Sequence, residues 1–114
     1  MTADEYFDGR PPAFRRVYDA VIAHLERVGP IAVDVVEVGV LIKRARTFAE
    51  LRPRRDRFVL SVLLSRAVEH PRIRRTVRRR AGDRAAHFID LRDEGDVDDE
   101  VRGWLAEAYL SSPE

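Results

Sequence analysis

The period of the apolar pattern changes once, at Gly29-Pro30, and that change constrains the fold more than any other feature of the chain. From Ala13 to Val28 the residues Phe14, Val17, Val21, Leu25 and Val28 recur at three- and four-residue steps, with Tyr18 and Ile22 widening the stripe. Such spacing lays one apolar face along an amphipathic helix of about four turns. Pro11-Pro12 suit its start, where a missing N–H costs little, and Gly29-Pro30 end it. Beyond that point the apolar residues alternate. Val36, Val38, Val40 and Ile42 share one phase and Val33 and Val35 lie on the other, which predicts a strand with a bulge or break near Val35-Val36.

Alternation continues down the chain. Thr47–Arg52 reads as a strand, Pro53-Arg54-Arg55-Asp56 as a turn, and Arg57–Ser65 as the strongest strand, with Phe58, Leu60, Val62 and Leu64 on one face. His87–Leu91 reads as a further strand that places His87, Ile89 and Leu91 together. The intervening residues 66–86 form a basic connecting segment. His70-Pro71 breaks it, Gly82-Asp83 closes it, and the pair Ile73 and Val77 fits a short helix with one narrow apolar edge about as well as a solvated loop. A last helix starts near Asp96, with Asp98, Asp99 and Glu100 in its first turn, and buries Val101, Trp104, Leu105 and Ala108 on the way to about Ser111. The order predicts a single α+β domain over residues 1–114: a small antiparallel sheet of about four strands, with the N- and C-terminal helices packed on one face.

Composition narrows the function. The 114 residues include no cysteine, which excludes disulfides and thiolate metal sites. The longest apolar stretch, Val38–Ile42, is far shorter than the roughly twenty residues of a membrane-spanning helix. Asp4, Glu5 and Asp8 near the start do not resemble a signal peptide, so the expectation is a soluble, cytoplasmic protein with no membrane partner.

Charge is segregated along the chain. Residues 43–84 hold fifteen basic and four acidic groups (+11), residues 1–42 balance to −3 and residues 85–114 to −7. Lys43 is the sole lysine among 21 basic residues, a usage that suits planar phosphate recognition but also follows from codon composition. The basic block divides into Lys43, Arg44 and Arg46 at one turn, Arg52, Arg54, Arg55 and Arg57 around the next, and Arg72, Arg74, Arg75, Arg78, Arg79, Arg80 and Arg84 in the connecting segment. The two turns belong at opposite ends of the strand between them. Helical spacing in the third cluster would align Arg72, Arg75 and Arg79.

Cations in this density neutralise phosphates, and nucleic acid is the default polyanion. Stacking on bases also needs aromatics, and inside the block only Phe48 and Phe58 occur, both in strands where core packing explains them. Three alternatives stand beside this reading. The basic surface is solvated and internally paired. The basic middle pairs with the acidic ends of a second copy, giving a homo-oligomer, or with an acidic protein surface. A small-molecule or enzymatic pocket lies between the helices, lined by Tyr6, Phe7, Trp104 and Tyr109 with His87 as base near Asp90 and Asp93, although Phe7 and Trp104 equally suit the core.

Nothing in the chain implies a metal or cofactor. The run Asp90, Asp93, Glu94, Asp96, Asp98, Asp99 and Glu100 lacks the calcium-loop pattern, His24, His70 and His87 have no ligand spacing, and neither a glycine-rich phosphate loop nor a nucleophile motif is present. The expectation is a binding or interaction module more than an enzyme.

Three stretches carry a family resemblance: Glu5-Tyr6-Phe7-Asp8-Gly9-Arg10-Pro11-Pro12, then Leu41-Ile42-Lys43-Arg44-Ala45-Arg46-Thr47-Phe48-Ala49-Glu50-Leu51-Arg52-Pro53, and Val101-Arg102-Gly103-Trp104-Leu105-Ala106-Glu107-Ala108-Tyr109. Through them the chain resembles a bacterial family catalogued as domain of unknown function 5655. The resemblance implies a small α+β domain, found as a stand-alone protein or a tail domain and sometimes beside nuclease-like domains. It supplies no catalytic residues.

Overall fold

The computed structural model describes residues 1–79 and 84–112. One antiparallel sheet of six strands runs in the order β1-β2-β3-β4-β6-β5. Its strands are β1 (Ala32–Val36), β2 (Gly39–Lys43), β3 (Thr47–Pro53), β4 (Phe58–Leu64), β5 (Ile73–Arg78) and β6 (Ala85–Leu91). Helices α1 (Ala3–Phe7) and α2 (Pro12–Val28) precede the sheet, and a 3₁₀ turn (Glu94–Asp96) leads into the closing helix α3 (Asp99–Ser111).

The core lies on one side of the sheet. Strand β4 is central, and its register sets Leu60 between Leu51 and Ile89, Phe58 opposite Leu91, and Val62 opposite His87, all inaccessible to solvent. Helix α2 covers this face with Phe14, Val17, Val21 and Leu25, and α3 with Val101, Trp104, Leu105, Ala108 and Tyr109. Phe58 is the hub, its ring 4.9 Å from Phe14 and 6.1 Å from Phe7. Burying each such side chain contributes roughly 1.5–3 kcal/mol, so the apolar stripes fix which face the helices take.

The sheet exceeds the expected four or so strands for two local reasons. The strand expected to bulge or break near Val35-Val36 is a hairpin that breaks just beyond that point, at a turn through Glu37 and Val38 that Gly39 completes at φ +152°. A Cβ on Gly39 would strike the Leu51 carbonyl oxygen, so only glycine fits there. The second addition is β5, inside the segment expected as a helix or loop. After β4 the chain crosses over the helix side of β6, where the Val68 N–H donates to His87 Nε2 at 2.9 Å, and returns as edge strand β5 pairing with β6. The predicted closure at Gly82-Asp83 lies outside the described residues.

Two helix starts also differ from expectation. Thr2 and Glu5 form a reciprocal capping box that winds residues 3–7 into α1. The N-cap of α3 is Asp98, whose Oδ1 accepts from the Val101 N–H at 3.1 Å, while Asp93 and Asp96 cap the preceding 3₁₀ turn. Among the described residues no helix is long and apolar enough to cross a membrane.

Candidate nucleic-acid interface

The helices and the crossover all pack on one face of the sheet, which leaves the other face open. Across that open face the register forms the row Asp34, Leu41, Glu50, Ser61, Phe88 and Arg75, one residue from each strand. A second row sets Arg52, Val59 and Asp90 side by side, and a third Leu63, Ala86 and Val77. Leu41, Leu63 and Phe88 are part-exposed and Val77 is exposed, so the surface is an apolar strip studded with charge.

At the β5 end of this face lies a recess of about 330 Å³. Val59 and Phe88 supply its apolar surface, and Arg54, Arg74 and Arg75 supply the charge. The Arg75 guanidinium lies over the Phe88 ring, 4.9 Å from its centroid. Arg79 follows Arg75 on the same face of β5, about 13 Å away by the rise of a strand, and borders Ser61, Leu63 and Ala86.

The basic residues divide by whether a carboxylate already holds them. Arg72 donates to Asp98 Oδ2 at 2.6 Å and to the Asp96 carbonyl at 3.0 Å, joining the segment before β5 to the start of α3. Asp90 accepts from Arg74 at 3.1 Å and forms an ion pair with Arg57 at the same distance. Lys43 pairs with Asp34 at 2.5 Å and Arg52 with Glu50 at 3.1 Å. Arg44 packs over the Tyr109 ring and donates to the Tyr109 carbonyl at 3.0 Å, and Arg84 donates to the Ser111 carbonyl at 2.9 Å. Among the described residues Arg46, Arg54, Arg55, Arg75, Arg78 and Arg79 form no ion pair. Of these, Arg54, Arg75 and Arg79 border the open face. Arg46 and Arg55 occupy turns at opposite ends of β3, Arg78 lies on the other side of β5, and Arg80 lies outside the described residues.

The third basic cluster therefore follows a strand's geometry. The expected helical alignment of Arg72, Arg75 and Arg79 does not form, because period-two alternation groups Arg75, Val77 and Arg79 and leaves Arg72 to anchor α3. Ile73 and Val77 do not make one docking edge either: Ile73 packs against the core while Val77 is exposed on the open face.

The pocket residues do not converge. Tyr6 and Phe7 stack edge-on at 4.9 Å beside Phe58, while Trp104 packs edge-on against His70 at 5.1 Å. Tyr109 sits against Phe48 and lines an open groove with Pro30, Ile31 and Arg44, whereas Tyr6 lines a separate recess with Arg10 and Glu37. His87 is fully buried beneath the crossover, and burial holds its imidazole below the ordinary value near 6.5. Its supposed partner Asp90 belongs to the opposite face of β6, so the acid–base pairing is not formed. Among the described residues no group of His, Asp and Glu is placed to hold a metal ion.

Phe88 is the functional candidate that sequence reasoning passes over. Its signal was present in its phase, opposite to His87, Ile89 and Leu91, which makes it the aromatic of β6 turned away from the core.

No curated protein matches the chain, and no solved structure does. One family model does match, described as "Domain of unknown function (DUF5655)", and it spans residues 3–112, from α1 through α3. With the whole sheet and all three helices inside that match, the chain belongs to the DUF5655 family.

Proposed function

We propose that the protein is a cytoplasmic nucleic-acid-binding module whose interface is the open face of the sheet. The observation that carries this reading is the placement of Arg54, Arg75 and Arg79, cations without carboxylate partners, around an uncovered apolar surface. Within the +11 block Lys43, Arg52, Arg57, Arg66, Arg72 and Arg74 are held in internal ion pairs, and of the described arginines that are not, Arg54, Arg75 and Arg79 are the ones that border the open face and can meet phosphate there. The open face retains an excess of guanidinium over Asp34, Glu50 and Asp90, which favours a polyanion over a second copy carrying the same surface. Pairing of the basic middle with the acidic ends is already made within one chain, by Arg66–Glu107, Arg72–Asp98 and Arg74–Asp90, which weakens its role between copies.

Fluorescence anisotropy with labelled oligonucleotides at a series of salt concentrations tests the proposal. Three phosphate contacts predict log K falling against log salt with a slope of about −2 for a single strand. The triple variant R54A/R75A/R79A is expected to lose binding, while R66A, whose partner is Glu107, keeps it. Undetectable or salt-independent binding at low salt, or unchanged binding by the triple variant, overturns the proposal.

A further inference from the structure

We infer that the open face selects single-stranded nucleic acid, with one base seated against Phe88. The inference rests on reading that face as a nucleic-acid interface and adds the class of strand. Its basis is the make-up of the recess: Phe88 and Val59 form an apolar surface beside Arg54, Arg74 and Arg75. A nucleotide has the matching halves, a planar π-face and an anionic phosphate.

Duplex DNA offers this recess only its phosphates. Its base faces are stacked against one another, and its sequence is read in grooves that admit a helix or a protruding ribbon. The open face of the sheet presents neither. An unpaired base exposes its π-face and gains by stacking on an aromatic ring whatever its identity. Phe88 already holds one planar cation, the Arg75 guanidinium 4.9 Å from its centroid. A base can take the same ring while Arg75 turns to the adjoining phosphate. Ser61, directly opposite Phe88 on β4, is part-exposed and places a hydroxyl beside that seat. Arg79, further along the same face, then meets the next stretch of backbone.

The test uses the full chain with single strands of about twelve nucleotides, DNA and RNA in parallel arms, and with a duplex of the same length. A strand carrying 2-aminopurine reports stacking by its quenching. Single strands are expected to bind more tightly than duplex and to quench on binding. Phe88→Leu should weaken single-strand binding at least about fivefold and abolish the quenching. Phe88→Trp keeps a ring and should retain or tighten binding, which keeps the test decisive where the leucine variant does not fold. Duplex bound as tightly as single strand, or a folded Phe88→Leu with undiminished affinity, or a Phe88→Trp that loses binding, overturns the inference. If neither single strand nor duplex binds, the interface reading itself has failed.

Discussion

The hydroxyl of Tyr109 occupies the space that a side chain on Gly29 would need, and it donates to the neighbouring Pro30 carbonyl at 3.0 Å. This contact fastens the end of α2 to the last turn of α3. The backbone of Gly29 is extended, so glycine is required there by close approach and not by conformation. Gly29→Ala is expected to destabilise the fold by about 1–3 kcal/mol through overpacking. Tyr109→Phe removes only the hydrogen bond and costs about 1 kcal/mol. Combined, the two changes should be less than additive, since loss of the hydroxyl removes the closest of the atoms that the methyl group would strike. Urea unfolding followed through Trp104 fluorescence measures all three.

Asp98 serves two partners, capping α3 at the Val101 N–H and receiving Arg72 from the segment before β5. Burial works against its charge, but the Val101 N–H and Arg72 outweigh it and hold its carboxyl below the ordinary value of 3.8. Asp98→Ala should cost about 1–2 kcal/mol, the range of a lost N-cap. Asp99→Ala, one residue on and exposed, should cost much less. Thermal denaturation of the two variants side by side distinguishes a cap from simple charge near a helix start.

Acid should destabilise the protein in two steps. Burial depresses the pKa of His87, so between its folded value and 6.5 the unfolded chain binds the additional proton. Stability then rises with pH across that window and is lost as pH falls through it. Protonation also removes the Nε2 lone pair that accepts the Val68 N–H. A second loss follows below about pH 4, as Asp93, held down mainly by Arg16, and Asp98 take up protons. Stability measured against pH in His87→Gln should lack the first step and keep the second.

Exchange of backbone amides should grade across the sheet. Strand β4 lies between β3 and β6 with Phe58, Leu60, Val62 and Leu64 buried, whereas β5 bonds to β6 alone and is exposed at every residue after Ile73. The amides of β5 are expected to exchange through local opening, faster than those of β4, which need global unfolding. Hydrogen–deuterium exchange resolved by peptide gives the comparison, and equal protection in the two strands contradicts it.

The elements legible in the sequence are those whose side chains carry a full period of burial. Helix α2 shows its stripe from Phe14 to Val28, and β4 its alternation from Phe58 to Leu64, because each has one face in the core. Strand β5 has no such face. Only Ile73 packs inward, and its spacing from Val77 imitates a helical pair although a register shift between Ile73 and Arg75 separates them. The N-cap at Asp98 was obscured by a run of acidic residues that all suit a helix start, and tertiary contact with Arg72 distinguishes the one that serves. The basic block was visible as composition, but which arginines remain unpaired depends on partners as distant as Arg66 and Glu107. The open recess depends on β6 lying between β4 and β5, an order that local patterning does not encode.

That order also separates two properties that most protein surfaces entangle. The edge strand meets the rest of the molecule through one neighbour and one inward side chain, Ile73. Substitutions from Arg75 to Arg79 therefore change the charge and shape of the surface far more than whether the chain folds. The protein carries a rewritable strand on a fixed chassis, and a library randomised at Arg75, Val77 and Arg79 alone would vary that surface without risking the core.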